Sequence, residues 1–405
     1  MSRLRLDVND ELSARMAWSR LTEPGDAVAG ELVRTLGAGR ALAWAHSAAA
    51  CGDGTPRAIA ALVDAEPGLE DVRRQLGKAV ARWAGRFADL DPARDLEHMD
   101  HLGGSVLHPG SVGWPTGLDD LGASAPMCLW VRGRRDVSAS VDRSIALVGA
   151  RASTSYGEHV AVDLAGGLAA HGACVVSGGA YGIDAAAHRG SLAAGGTTVA
   201  LLAGGVDRAY PVGNAPLLER ILEQGGSVLS EVPPGGVPSK GRFLMRNRLI
   251  AAVSRATVVV EAAWRSGALS TANHAVALLR PVGAVPGPVT SMASAGCHRL
   301  LREGVAVCVT DAAEVLELAG RAGEDLPPDR VVEPRDGDDL DWVSRRLLDA
   351  LPGRSSAGHD ELARMAGLSV GEVRGALGVL ELAGFVRRVG AGWARSGRAG
   401  AGRRG

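Results

Sequence analysis

Apolar and polar positions follow three different rhythms along this chain. Up to about residue 95 the spacing is helical: Leu12, Met16 and Leu21 recur at that period, and Leu32, Val33 and Leu36 repeat it. Each set lines one face of an amphipathic helix. Leu36-Gly-Ala-Gly-Arg40 breaks the pattern, and a new helix follows through Trp44. Helix, glycine turn and helix fit a SAM/helix-hairpin-helix-like module and equally a plain helical bundle, because glycine marks any tight turn. From about 96 to 319, short apolar runs alternate with helical stretches. The runs are Ile145–Val148, Ala173–Val176, Thr198–Leu202, Ser227–Leu229, Ala256–Val260, Val282–Val285 and the weaker Val305–Val309. Runs this continuous predict strands buried on both faces, hence a parallel sheet covered by helices. The helices are expected to begin near Tyr156, Asp184, Asn214, Phe243 and Ser270. The predicted class is therefore α/β, with an extended Rossmann-like parallel sheet.

The third rhythm follows a polar stretch rich in Pro, Asp and Gly, residues 320–338, which is expected to be a linker. Over 339–394, Val343, Leu347 and Leu348 mark one helix, His359–Ala366 a second, and Val370–Leu382 a third with Ser369 as its N-cap. Gly384–Val389 then has strand character, which completes a winged-helix-like order. Residues 395–405 form a basic, glycine-rich tail expected to be disordered.

The formal net charge is −1, so an anionic partner must be met by a local patch. Arginine is abundant, and Lys78 and Lys240 are the only lysines. Ala and Gly are used just as heavily, a general compositional bias, so only clustered arginines carry weight. The five cysteines are scattered without a C-x-x-C pair, which argues against a disulfide framework and a zinc ribbon. The N-terminus lacks the apolar core of a signal peptide, and no run approaches the ~18 apolar residues of a membrane span. A cytoplasmic protein with no membrane partner is expected.

In an open parallel sheet, ligands bind beyond the carboxyl ends of the strands. Three features converge on the segments that follow the predicted strands. Small residues in Gly149-Ala-Arg151 and Ser177-Gly178-Gly179 let main-chain N–H groups approach an anion ahead of a helix. Arg151, Lys240, Arg242, Arg246, Arg248 and Arg265 are drawn to the same edge, with Asn247 among them and Ser266-Gly267 beside them. Tyr156, Tyr181 and Tyr210, all the tyrosines of the chain, lie in these loops, and Phe243 joins them. Aromatic faces beside phosphate-binding groups suit single-stranded nucleic acid, whose bases stack while basic groups track the backbone. Asp184 is either an N-cap or a pocket residue, and Ser270 is similar; Glu261 is a candidate partner for an arginine of the Arg246-Asn-Arg248 segment. Arg246 and Arg248 point to different faces, which predicts one toward ligand and one paired internally.

Other chemistry finds little support. There is no G-x-x-x-x-G-K-[ST] P-loop, no strict G-x-G-x-x-G with its acid, and no G-x-S-x-G elbow. His98 and His101 with Glu97 and Asp100 read as a solvated face rather than a metal site. His188 is a candidate base without a nucleophile or metal set around it. No catalytic residue, metal or cofactor is expected.

At these residues the chain resembles the DNA-processing protein A (DprA/Smf) family. The resemblance rests on Val148-Gly-Ala-Arg151, Ser177–Gly190, Tyr210-Pro, Ser230–Gly235, Phe243–Arg248, Glu261-Ala, Arg265–Ala272, Val285-Pro-Gly287 and Gly296-Cys-His298, in that order. It implies an extended Rossmann fold that dimerises and binds single-stranded DNA in a positive pocket, protects incoming strands in natural transformation and loads RecA recombinase onto them. By motif, the DNA contacts would be the Gly149–Arg151 loop, Ser177, Gly178, Gly179, Tyr181, Lys240, Arg242, Phe243, Arg246, Asn247, Arg248, Ser266 and Gly267, with Asp184 and Glu261 as structural pocket residues. Many members carry Arg where Tyr181 stands and Phe-Pro where Phe243-Leu244 stands. Two rivals remain at this point: a nucleoside-monophosphate phosphoribohydrolase-like enzyme working through Glu261 and Arg265, and a duplex-DNA regulator reading through the winged helix.

Overall fold

The apolar runs of the middle segment pair into one nine-stranded sheet: β1 (Ser105–Leu107), β2 (Leu129–Gly133), β3 (Ser144–Val148), β4 (Cys174–Ser177), β5 (Thr198–Leu202), β6 (Ser227–Ser230), β7 (Ala256–Val259), β8 (Val282–Ala284) and β9 (Val307–Cys308). The order is β1-β2-β6-β5-β4-β3-β7-β8-β9. Strands β3 to β9 run parallel, while β2 lies antiparallel to β6 and β1 antiparallel to β2. In this computed structural model the described residues are 7–320, 340–352 and 355–396, and they divide into two compact units, the first ending at 320. The linker expected at 320–338 lies outside them beyond Gly320, and the expected tail lies outside them beyond Ser396.

The seven predicted runs all form strands, β9 shorter and more exposed than its run suggested. Strands β1 and β2 were not anticipated, although Leu129, Trp130 and Val131 are fully buried. Alternation divides the core into two layers. Ile145 and Leu147 of β3 pack with Leu164 and Ile183 under the helices Ser155–Ala170 and Ile183–Ala193. Ala146 and Val148 face the other way, with Leu249, Val253 and Ala272 of the helices Lys240–Val253 and Ala268–Ala277. The chain steps outward from β3 to β6, returns to β7 beside β3 and steps outward again. The crevice where that order reverses lies beyond the ends of β3 and β7.

The N-terminal helices Glu11–Leu21, Ala27–Leu36, Ala38–Ala50, Thr55–Ala65 and Arg73–Ala84 share a core in which Trp18 meets Trp83 edge-on at 5.1 Å, while Met99 of the helix Pro92–His101 packs with Trp130 and Leu202 of the sheet. The glycine turn is the single residue Gly37, at φ +82°. The carbonyl of Ala38, buried beside it, accepts the Trp18 indole N–H at 3.1 Å, so the turn is held by the bundle's own core. The exposed His98 and His101 fall in the last turn of Pro92–His101.

Glu231, at the end of β6, ties this bundle to the sheet. Its carboxylate accepts from Arg248 Nη2 at 2.7 Å and from Gly25 N at 3.3 Å, and its carbonyl accepts from Ser19 Oγ at 3.0 Å. Arg248 also donates to Ser124 O and Met245 O. A second tie joins Arg242 to Glu23 at 2.8 and 3.1 Å.

The second unit has the helices Trp342–Ala350, His359–Ala366 and Val370–Leu382, followed by the antiparallel pair β10 (Val386–Val389) and β11 (Gly392–Arg395). Ser369 caps the third helix as predicted, in a reciprocal capping box with Glu372. Leu347, Leu362, Val373, Leu377 and Trp393 form its core.

Because Arg248 and Glu231 are both buried, removing one partner strands the other charge. Arg248→Ala is expected to lower the unfolding free energy by about 3–5 kcal/mol, read from urea denaturation. A loss below about 1 kcal/mol, the value of an exposed pair, would show that this tie does not hold the bundle.

Candidate nucleic-acid interface

A cleft of 380 Å³ opens at the crevice beyond β3 and β7. Its lining includes Gly149 and Arg151 from the β3 loop, Asp184 from the helix after β4, Lys240, Phe243, Arg246 and Asn247 from the long helix before β7, and Ser266 and Gly267 from the β7 loop. Four separate stretches of sequence therefore meet at one place. Main-chain lacing holds them together: Ala150 N donates to Glu261 O at 2.8 Å, and Ile183 N to Ala150 O at 3.2 Å. Gly149 permits this closeness, since a Cβ there would stand 2.5 Å from Ile183 Cγ1.

The mouth carries the mobile charge and the aromatic faces. Arg151 and Lys240 are exposed and form no ion pair among the described residues. The Arg151 guanidinium lies over the Phe243 ring, 4.4 Å from its centroid, and Tyr210 sits against Phe243 at 5.6 Å. Cation, ring and a second, tilted ring thus adjoin one another at the mouth.

Arg246 lies on the floor, 5% exposed. It donates to Leu201 O at the end of β5, while its Nε has no hydrogen-bond partner among the described residues. Burial, helped by Arg151, pushes its guanidinium down to about 10, and the nearby Asp184 opposes this. It therefore stays charged at neutral pH. Burial also raises Asp184 above the usual carboxylate range, against the pull of Arg246. Gly178 packs on the Arg246 guanidinium so closely that a Cβ would stand 2.1 Å from Nη1.

Several candidates are placed differently from expectation. Asp184 is not the N-cap: Gly182 holds that position at φ +77°, and Asp184 accepts from Ala180 N at 3.4 Å from within the first turn. Ser270 likewise lies inside a helix capped by Gly267. Glu261 pairs with no arginine among the described residues; its two carboxylate oxygens accept from Thr154 N at 2.9 Å and Thr154 Oγ1 at 2.5 Å, clasping the β3 loop. Arg248 is the internally paired arginine, but to Glu231. Arg242 is taken up by Glu23, so neither of these two guanidiniums reaches the cleft.

Ser177 is fully buried and spends its hydroxyl on Leu147 O at 2.6 Å. Gly179 and Tyr181 do not line the cleft. The Gly179 carbonyl accepts from Asn214 Nδ2 at 2.9 Å, and Tyr181 packs over Gly213 while half of its surface stays open. Asn247 lines the cleft with its amide donating to Gly267 O at 3.2 Å, which fixes the β7 loop. His188 is no base for the site: it is fully buried, bonded through Nδ1 to Thr198 Oγ1 at 2.7 Å, and burial pushes it down to about 3. Thr154, Glu231 and Glu23, which hold these arginines and loops, escaped the sequence reading because their partners lie 17 to 219 residues away.

Fold and site together define a Rossmann-like α/β protein with a cationic, aromatic cleft at its switch point. The family model for the DNA recombination-mediator protein A matches residues 105–320, and that for the DprA winged helix domain matches 332–392. A DNA processing protein DprA of Mycobacterium tuberculosis is 48% identical over 344 residues, covering 82% of this chain and 87% of that protein. Protein Smf of Escherichia coli is 37% identical, over 68% of this chain and 73% of its own length. The X-ray structure of DprA from Streptococcus pneumoniae superposes with a TM-score of 0.56 at 27% identity, covering 77% of this chain and 98% of that one. The chain belongs to the DprA/Smf family of DNA recombination-mediator proteins. Among the described residues, no helix is long and apolar enough to cross a membrane.

Two outcomes follow from the geometry. Gly178→Ala must displace the buried Arg246 head, so a loss of about 1–3 kcal/mol in stability is expected from thermal unfolding; an unchanged Tm would mean that the two groups are not packed as described. His188 stays neutral when folded but titrates near 6.5 when unfolded. Its contribution is complete above pH 6.5 and is lost as the pH falls from 6.5 toward 3, because the unfolded chain takes up the proton first. Unfolding free energy measured across that window should show this decline weakened in His188→Gln.

Proposed function

We propose that this chain binds single-stranded DNA in the switch-point cleft, protects incoming strands and loads RecA recombinase onto them, as a cytoplasmic homodimer that turns over no substrate. The observation that carries the reading is the mouth of the cleft: Arg151 and Lys240 stand without an ion pair among the described residues beside the contacting rings of Phe243 and Tyr210. Free cations meet phosphates, and ring faces take unstacked bases, which a duplex does not offer. The buried Arg246 adds a fixed positive charge behind them. Membership of a family described as recombination mediators supports the roles in strand protection and RecA loading, and the same membership supports the dimer.

The phosphoribohydrolase reading needs a carboxylate free to work at the ribose. Glu261 is 1% exposed with both oxygens committed to Thr154, which disfavours it. The duplex-regulator reading fares no better, since Arg374 is the one basic residue on the helix Val370–Leu382.

A salt titration tests the proposal. Single-stranded DNA should bind more tightly than duplex. Arg151→Ala and Lys240→Ala should each weaken binding across sequences and lower the salt slope by about 0.7, the share of one phosphate on a single strand. If neither substitution changes affinity, the strand does not use this cleft. Release of free base from nucleoside monophosphates would instead reinstate the enzyme.

A further inference from the structure

Exposed aromatic side chains gathered at one edge of a fold, unlike ones scattered singly, point to a binding surface. Among the described residues, five are exposed: Tyr156, Tyr181, Tyr210, Trp264 and Trp342. Tyr181, Tyr210 and Trp264 lie in loops at the carboxyl edge of the sheet and Tyr156 in the first helical turn after β3, and of these four only Trp264 was not among the aromatic candidates in the sequence. Tryptophans that serve packing alone look different here: Trp18, Trp83, Trp114 and Trp130 are 0–3% exposed, whereas Trp264 is 48% exposed.

The local backbone places Trp264 deliberately. Ser266 N donates to Ala263 O at 3.0 Å, closing a tight turn with Trp264 and Arg265 at its corner. The turn leads straight into Ser266 and Gly267 of the cleft lining. Two residues of chain span at most about 7 Å, so the backbone of Trp264 stands next to the cleft. Behind it, the helix Ala295–Arg302 docks on the same loop: Gly296 N donates to Ala262 O at 2.6 Å, and a Cβ at Gly296 would stand 2.7 Å from that oxygen. This close approach sets Arg299, one turn further along the helix, over the indole with its guanidinium carbon 5.1 Å from the ring. Arg299 Nε has no hydrogen bond among the described residues, and Glu303 comes no closer than 4.0 Å. Arg265, exposed at the same corner, forms no ion pair among the described residues. An open indole with a guanidinium behind it and a free cation beside it repeats, on the β8 side, the pattern of Phe243, Tyr210 and Arg151.

We propose that Trp264, buttressed by Arg299 and flanked by Arg265, is a second base-stacking platform that takes the nucleotide beyond those held in the cleft and so sets the length of strand bound. The inference rests on the single-strand reading above and extends it along the sheet edge.

The experiment uses the full chain and a deoxythymidine series from about 3 to about 16 nucleotides, the range of site sizes for single-strand binders. Trp264→Ala should bind the shortest oligonucleotides like the unaltered protein and lose roughly 5- to 150-fold in affinity once the strand is long enough to reach the indole. Trp264→Phe, which keeps a ring face, should recover most of that loss. Circular dichroism confirms that both variants fold. If Trp264→Ala matches the unaltered protein at every length, the platform does not exist. An equal loss at every length would place Trp264 within the cleft's own machinery and overturn the extension. If the unaltered protein binds no single-stranded DNA at any length, the single-strand reading itself fails, a result distinct from the other two.

Discussion

Burying three polar side chains in succession constrains this structure more than any other feature. Arg246, Asn247 and Arg248 follow one another on the helix Lys240–Val253, and all are buried. Successive helical residues point about 100° apart, so the three leave the helix in three directions. Each must find partners there, because an unpaired buried charge costs several kcal/mol. Arg246 reaches the end of β5, Asn247 holds the β7 loop, and Arg248 reaches Glu231 and, through it, the N-terminal helices. One helix thereby fixes the cleft floor, the cleft wall and the seat of the helical bundle.

The cleft then follows from topology and close contact. Reversal of the strand order between β3 and β7 leaves a crevice, and the glycines let loops and charged heads close on it without side chains in the way. Gly149 and Gly178 matter here for what a Cβ would strike, Ile183 in one case and Arg246 in the other. The small residues of these loops are thus steric conditions for the floor. The hydroxyl and carbonyl groups around them, as at Ser177 and Gly179, are taken up within the protein. Among the residues predicted to meet ligand, Arg151, Lys240 and Phe243 keep groups open at the mouth.

Much of this was legible in the chain itself. The seven parallel strands were visible because strands buried on both faces need unbroken apolar runs, and the third helix of the winged unit because Ser369 and Glu372 are adjacent capping signals. Strands β1 and β2 were missed: they join antiparallel at the edge and are separated by a 3-10 segment, Thr116–Ser124, with no α-helix between them, so the rhythm that revealed the others is absent. At the site, the set of residues converging on the sheet edge was readable from chain order alone. The division of labour among the arginines was not. Arg242 and Arg248 sit in the same motif as Arg246, and only the folded chain brings Glu23 and Glu231 to them. The Glu261 pairing failed for a related reason: its nearest hydrogen-bond donors belong to Thr154, which carries no charge to signal a partnership.

The same sorting explains how a chain with a net charge of −1 presents a cationic site. Several arginines are neutralised within the fold: Arg20 by Asp95, Arg86 and Arg242 by Glu23, Arg248 by Glu231 and Arg280 by Asp120. Cations so paired fix geometry and offer little field to a passing strand. Arg151, Lys240 and Arg265, which have no carboxylate partner among the described residues, lie along the carboxyl edge of the sheet, with Arg246 held charged beneath. Local imbalance therefore makes this edge cationic although the chain as a whole is close to neutral. A uniformly basic chain would bind duplex and single strand alike through phosphates. Free cations set beside ring faces, as Arg151 is beside Phe243, would suit strands whose bases are free to stack.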